Sequence, residues 1–553
     1  MLQVQRATFR AFQKVPVSAV VIFLCAALFL IISRKLLVNN VPFLDDYYLI
    51  KEQQLFGYWA PSQYYRSIWG YYRIVYTTLM SIVFGASEYT WALRLIGVSF
   101  HCALAILMLL VIKRVLGELR PAFIAFGVFL FFPYAYEAVA WPSNIGQYPL
   151  APLIAMLGAW VICRKDQPSA TAVVVGGVLM AFSFWIHEQA GPLILALALF
   201  LMFSLNWRRR IVLLGLVFAS IACNLLLIYL TREGNNRLSG EHAASSRYLF
   251  ENLRYLPQLF RTTPFGDLYY STAGVAITWV SMIAVLAAML IAYGAFGKAS
   301  GPTSWLETFS PLRRDSVSFA AGVALISGGA YLVSLAPILL SPIPWHTGRV
   351  IYVPFVMFTF ALAAALETVW RALPEAIRPR FRALLAAVLA ITVVWQAHAL
   401  QSEATAYDLQ VRVNEARARA AIELLDRSRD LTDTSLLVVG GFPGSDNGRP
   451  QFGEHFIGMS LGQLQAMLGL RVYHPSDTPR IAFASGWDHL CRRSDGGVGV
   501  RESVKKTLYR PDEISSRNTT FLLWANGKWN IQRGNVIVEK DVLPLGLDSC
   551  STR

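Results

Sequence analysis

Apolar residues come in long uninterrupted runs from the start of the chain to about residue 400, and thereafter only in short ones. The first run, Val17–Ser33, follows Arg6, Arg10 and Lys14 as a signal peptide would. No small-residue cleavage site comes after it, and Arg34-Lys35 closes it directly, so it reads as a retained anchor helix. Further runs of spanning character are Ala92–Ile112, Ala122–Val139, Tyr148–Ile162, Ala172–Ile186, Pro192–Leu205, Ile211–Leu230, Ala273–Phe296, Val317–Leu340, Ile351–Trp370 and Ala383–Gln396. Together they predict about eleven transmembrane helices, two of them (Tyr148–Ile162 and Pro192–Leu205) short for the ~30 Å bilayer core.

After residue 400 the pattern changes. Leu409, Val413, Ala416, Ala420 and Leu424 fall on one side of an amphipathic helix. Short strand-like runs come next at Ser435–Val439, Arg480–Ala484, Thr520–Trp524 and Asn535–Val538, between turns rich in Gly, Pro and Asp. The expected architecture is a polytopic α-helical membrane domain over residues 1–400 and a small α/β domain over 401–553. The turn Gly440-Gly441-Phe442-Pro443-Gly444 lacks the Gly-Lys-Ser/Thr ending of a phosphate loop.

Composition agrees. The 553 residues are 55% hydrophobic and 15% charged, with a mean hydropathy of +0.46; soluble domains carry about 25% charged residues. The net charge of +15 is scattered between apolar runs and no nucleic-acid motif accompanies it, so it reads as topology and contact with membrane lipids, not nucleic acid. Cys25, Cys102, Cys163 and Cys223 lie in or beside apolar runs, Cys491 and Cys550 in the polar tail, and none has metal-site spacing.

The loops alternate. Lys113/Arg114/Arg120, Arg164/Lys165, Arg208–Arg210, Lys298/Arg313/Arg314 and Arg371/Arg378/Arg380/Arg382 occupy every second one, whereas Glu137–Gln147 and His187–Gly191 carry no Lys or Arg. By the positive-inside rule the basic loops and the N-terminus are cytoplasmic. Arg34-Lys35 and the five arginines of Thr231–Ser271 run against this order, the latter in a loop long enough to translocate regardless of charge. The tail after about Gln401 is then extracytoplasmic, and periplasmic in a bacterial inner membrane.

That topology collects chemistry on the outer face. The first outer loop begins with Val41-Pro-Phe-Leu-Asp45-Asp46-Tyr-Tyr48 and continues through the Tyr/Trp/Arg-rich stretch Tyr58–Arg73. The second offers Glu137, Trp141, Asn144 and Gln147, the third His187, Glu188 and Gln189, and the last short one Trp345, His346 and Arg349, with Tyr352 after it. Trp and Tyr gather at membrane interfaces anyway. Glu137, His187 and Glu188 need another reason, because ionisable groups at the edge of an apolar run are costly and usually face a cavity or pathway.

Such a set suits glycosyl transfer from a lipid-linked phosphosugar. A carboxylate (Asp45, Asp46 or Glu137) takes a proton from the acceptor hydroxyl. His187, His346, Arg349 and Arg73 balance the phosphate. Trp141, Asn144, Gln147, Glu188 and Tyr352 face the sugar or the acceptor. No cofactor is certain, but Asp45 and Asp46 with a third acid can hold a divalent cation (Mg, Mn or Ca), and activity surviving a chelator excludes that role.

The order apolar anchor, Phe-Leu-Asp45-Asp46, aromatic outer loop, then Arg94-Leu-Ile-Gly-Val-Ser-Phe-His101 opening a helix that ends in Ile112-Lys-Arg-Val-Leu-Gly117, resembles the C-type (GT-C) glycosyltransferases. Arg349-Val-Ile-Tyr352-Val-Pro354 is similar to the Arg-Tyr-x-x-Pro stretch that opens late helices in some members. The resemblance implies a many-helix membrane bundle, an active site on the outer face, and a polyprenyl-phosphate sugar donor. It also implies a cell-envelope glycan, lipid or exported protein as acceptor, and Asp45 or Asp46 as base or metal ligand, with Glu137 where some members have a second acidic motif. Competing readings are a secondary transporter or lipid-linked glycan flippase, for which mid-bilayer charges and inverted repeats are expected and not found, and an O-antigen ligase or polymerase without an Asp-Asp base.

Overall fold

The computed structural model describes residues 26–27, 29–31, 34, 53, 57, 74–85, 90–132, 138–139, 145–202, 205–231, 316–339, 348–428, 436–440, 480–484, 490–492, 498–500, 519–525 and 528–533. The chain divides into two units, Met1–Asn40 with Tyr65–Tyr407, and Val41–Tyr64 with Asp408–Arg553. The expected spans Val17–Ser33 (but for a few residues) and Ala273–Phe296, and the expected strand Asn535–Val538, lie outside the described residues.

Helices of the first unit are α1 (Ile74–Gly85), α2 (Thr90–Leu116), α3 (Leu119–Leu130), α4 (Leu150–Cys163), α5 (Ala170–Ile186), α6 (Ala190–Met202), α7 (Trp207–Thr231), α8 (Val317–Leu339), α9 (Gly348–Ala372) and the part of α10 (Arg378–Ser428) up to Tyr407, the rest of α10 belonging to the second unit. Five of them contain stretches long and apolar enough to cross a membrane: Trp91–Leu116, Trp207–Thr231, Val317–Ala336, Ile351–Ala372 and Arg378–His398; α3 to α6 are shorter apolar helices. This is the make-up of a helical membrane protein.

Local chemistry sets the helix ends. Ser169 caps α5 by accepting the Ala172 N–H, and Asn206 caps α7 by accepting the Arg209 N–H. Pro121, Pro152, Pro192 and Pro379 stand in the first turns of α3, α4, α6 and α10, where a missing N–H breaks no helical bond. Gly117, at φ +78°, stops α2 and donates to the Lys113 carbonyl.

Three elements depart from the sequence pattern. α3 ends at Leu130 and not at Val139, because Pro133 cannot donate and biases Phe132 away from helical geometry. α1 falls where the sequence pattern puts an outer loop. α10 is one helix of 51 residues, not a span and a separate amphipathic helix, since no Gly or Pro interrupts Arg380–Ser428. At 1.5 Å per residue it is about 77 Å long, of which only Arg378–His398 has the composition of a span.

Packing uses small residues and interhelical polar bonds, as expected where lipid replaces water. A Cβ on Gly158 of α4 would come within 2.5 Å of the Gly176 carbonyl of α5, so these backbones approach closely. α5 and α7 are joined by Trp185 Nε1 donating to Ser220 Oγ (2.8 Å), Ser220 Oγ to the Ala181 carbonyl (3.0 Å) and Asn224 Nδ2 to the Phe184 carbonyl (3.2 Å). Phe132 stacks on Phe355 at 3.9 Å, between the end of α3 and α9.

One end of the bundle is basic. There Arg371 of α9 donates to Glu367 Oε1 (2.8 Å), to the Leu116 carbonyl at the end of α2 (2.7 Å) and to the Ser316 carbonyl ahead of α8 (3.1 Å). Arg120 of α3 reaches the same Glu367 oxygen at 3.6 Å and lies over the Trp370 ring. Arg114 ties α2 to the end of α4 through the Cys163 carbonyl and Asp166.

In the second unit, β1 (Leu436–Gly440), β2 (Arg480–Ala484) and β5 (Thr519–Ala525) fall on strand segments expected from the sequence. β1 pairs parallel with both β2 and β5, and β6 (Lys528–Arg533) pairs antiparallel with β5, giving the order β2-β1-β5-β6; β3 (Leu490–Arg492) and β4 (Val498–Val500) form a separate pair. β6 is not among the expected strands, although Asn526-Gly527 between it and β5 is a strong hairpin signal.

Glu367 is only 3% exposed, and without Arg371 the nearest cation left to it among the described residues is Arg120, at 3.6 Å. Arg371→Met is expected to cost about 3–5 kcal/mol, read as a lower unfolding temperature in detergent, and Arg371→Met with Glu367→Leu to recover part of the loss.

Candidate functional site

At the end opposite the basic one, a short turn joins α5 to α6. α5 stops at Ile186, and His187 leaves it in extended conformation while its N–H still bonds the Ser183 carbonyl. Ala190 and Gly191 donate back to the carbonyls of His187 and Glu188, so the chain enters α6 within one tight turn. His187 Nδ1 accepts the Gln189 N–H at 3.1 Å. A nitrogen that accepts carries no proton, so the imidazole is neutral, with its N–H on Nε2. The ring is buried against Tyr148, 5.0 Å between centroids, and Gln147 beside Tyr148 is buried too. The turn ahead of α4 and the turn between α5 and α6 therefore meet here.

Below this turn Ala151, Ile186 and Ala190 form a small core, with Val75 and Leu79 of α1 and Leu150 and Ile154 of α4 packed on it. The helix directly after Arg73 is thus seated under His187. On α2, a Cβ at Gly97 would come within 2.5 Å of the Val139 carbonyl and 2.9 Å of Ile145. Glycine is what allows residues on either side of Trp141 and Asn144 to lie against α2. On the same helix, three residues earlier, Arg94 is completely buried.

A second polar cluster ties α2, α3 and α9 together. His101 Nε2 lies 3.0 Å from the Leu130 carbonyl and Nδ1 lies 2.6 Å from Tyr352 Oη. The carbonyl can only accept, so Nε2 carries the proton and Tyr352 donates to Nδ1. Phe29, Phe129 and Tyr352 rings enclose the imidazole. Arg349 lies one turn before Tyr352, in the first turn of α9.

No family model matches the chain, and no curated protein matches it.

Of the residues expected at the site, Gln147, His187 and Glu188 are brought together. Tyr352 is elsewhere, with its hydroxyl committed to His101. Arg349 is described by its backbone only. Asp45, Asp46, Arg73, Glu137, Trp141, Asn144 and His346 lie outside the described residues. Among the described residues no three His, Cys, Asp or Glu side chains gather as a metal ion would require.

Arg94 and His101 are not among the residues expected at the site, although the sequence carries a signal for both: each is an ionisable residue inside an otherwise apolar stretch. Tyr352→Phe leaves His101 Nδ1 buried with its donor removed. It is expected to lower stability by about 1–3 kcal/mol, measured by unfolding in detergent, and His101→Phe combined with it to cost less than the sum of the two single changes.

Proposed function

We propose that the chain is an inverting glycosyltransferase of the GT-C kind. It moves a monosaccharide from undecaprenyl or decaprenyl phosphate to a cell-envelope glycan, lipid or exported protein on the outer face of a bacterial inner membrane. The observation that carries this reading is the meeting of the Gln147–Tyr148 and His187–Gln189 turns, with α1 beneath them, at the end away from the basic clasp. With basic loops cytoplasmic, that end faces outward, at the depth where the head of a lipid-linked sugar lies.

In the reaction, the acceptor hydroxyl gives its proton to a carboxylate, Asp45 or Asp46, as its oxygen attacks the anomeric carbon. The bond from that carbon to phosphate breaks in the same displacement, inverting the configuration and releasing polyprenyl phosphate. Arg349 and Arg73, with His346, balance the phosphate charge. His187, neutral through its bond from Gln189, contributes an N–H donor instead of a cation. Gln147 and Glu188 serve the sugar hydroxyls, with Trp141 as a stacking face and Asn144 as a further hydrogen-bonding group. Glu137 is the second acid. The sheet unit guides the acceptor.

Transfer of radiolabelled sugar from a panel of polyprenyl-phosphate donors into membranes tests this. Wild type is expected to transfer, and one of Asp45→Asn and Asp46→Asn to lose at least about a hundredfold in rate at unchanged protein level. Unimpaired transfer in both variants contradicts the assignment of the base; no transfer from any donor contradicts the class.

A further inference from the structure

α10 presents a lipid-like exterior over its apolar part: Leu384, Val388, Ile391 and Val394 are 50–69% exposed. Gln396, at the end of that stretch, is the reverse. It is completely buried, and neither its amide oxygen nor its amide nitrogen has a hydrogen-bond partner among the described residues. A buried amide without partners is unfavourable in a protein and more so beside lipid. Such a group calls for a ligand that supplies the missing bonds.

Its position narrows the ligand. Val393, one turn earlier, lies 3.4 Å from where a Cβ on Gly127 of α3 would stand. α3 and α10 both start at the basic end and run the same way. One turn on from this contact is Gln396 on α10 and the Leu130–Phe131 end of α3, where the Leu130 carbonyl takes the His101 N–H. The amide therefore stands where the apolar stretch gives out, two residues before His398. It comes from a helix whose other face meets lipid, but it points into the bundle. That depth and that side suit the polar head of an amphiphile entering from the bilayer.

We propose that Gln396 is a headgroup contact for a phosphate-bearing lipid that enters beside α10 and α3. Its amide N–H groups donate to a phosphate oxygen and its carbonyl accepts a hydroxyl of the attached group. That the lipid is the polyprenyl-phosphate donor rests on the function proposed above; the headgroup contact itself does not.

The test uses the full-length chain in detergent with Gln396→Met, nearly the same shape without the amide, and Gln396→Asn, an amide drawn back by one methylene. Binding of undecaprenyl phosphate and of phosphatidylglycerol is measured by native mass spectrometry, alongside thermal unfolding without ligand. Gln396→Met is expected to unfold at a higher temperature than wild type while binding undecaprenyl phosphate about tenfold more weakly, with Gln396→Asn in between. A stability gain and a binding loss in one variant is the combination that a purely structural glutamine does not give. Unchanged binding in Gln396→Met overturns the proposal. So does a lower unfolding temperature or failure to fold, because the amide then has a protein partner. Equal loss of undecaprenyl phosphate and phosphatidylglycerol upholds the headgroup contact and counts against the donor reading; selective loss of undecaprenyl phosphate upholds both.

Discussion

The Arg371 guanidinium bonds one carboxylate and two helix-end carbonyls, and the register of four helices depends on it. A helix end buried in the protein away from water needs a protein donor for each open carbonyl. Arg371 meets that need for Leu116 at the end of α2; it also donates to the Ser316 carbonyl ahead of α8, which already takes the Ala320 N–H, while Glu367 holds it in place and draws in Arg120 from α3. A planar group with five N–H donors does this; a lysine would not. The middle of α2 is then tied to the far end of α3 and the first turns of α9 by His101, which links the Leu130 carbonyl to the Tyr352 hydroxyl.

Between those two levels the buried side chains are mostly apolar, with Ser327, Thr359 and Thr368 among the exceptions. The two ends differ in kind. The basic one is closed by ion pairs and carbonyl bonds within the protein. The other holds groups with hydrogen-bonding capacity beyond the protein's own needs: the Gln189 side-chain oxygen and the Gln396 amide are buried without partners among the described residues. This difference is the physical basis for placing the chemistry at the second end.

Much of the bundle was legible in the sequence. Ala92–Ile112, Ile211–Leu230, Val317–Leu340 and Ile351–Trp370 each match a helix within a few residues, because an apolar run of that length has few alternatives. Where the reading failed, a local signal was outweighed or overlooked. Pro133 shortened α3, the lack of any breaker after Arg380 let α10 continue, and Asn526-Gly527 announced β6. The sequence offered His187, Glu188 and Gln147 as candidates because polar and ionisable groups at the edge of apolar runs are costly; that their turns meet depends on packing. The neutral state of His187 was not legible, since it depends on one backbone N–H two residues away. Gln396 escaped because burial depends on which neighbours pack around a residue, and sequence spacing does not give that.

Orientation is the claim on which the functional reading rests, and labelling measures it directly. In a chain whose six native cysteines are replaced by serine, Glu188→Cys and Asp166→Cys mark the two ends. A membrane-impermeant maleimide applied to the outer surface is expected to label the Glu188 position in intact cells whose outer barrier has been opened, and the Asp166 position only after the inner membrane is permeabilised. The reverse pattern would put the polar turns in the cytoplasm and contradict the account.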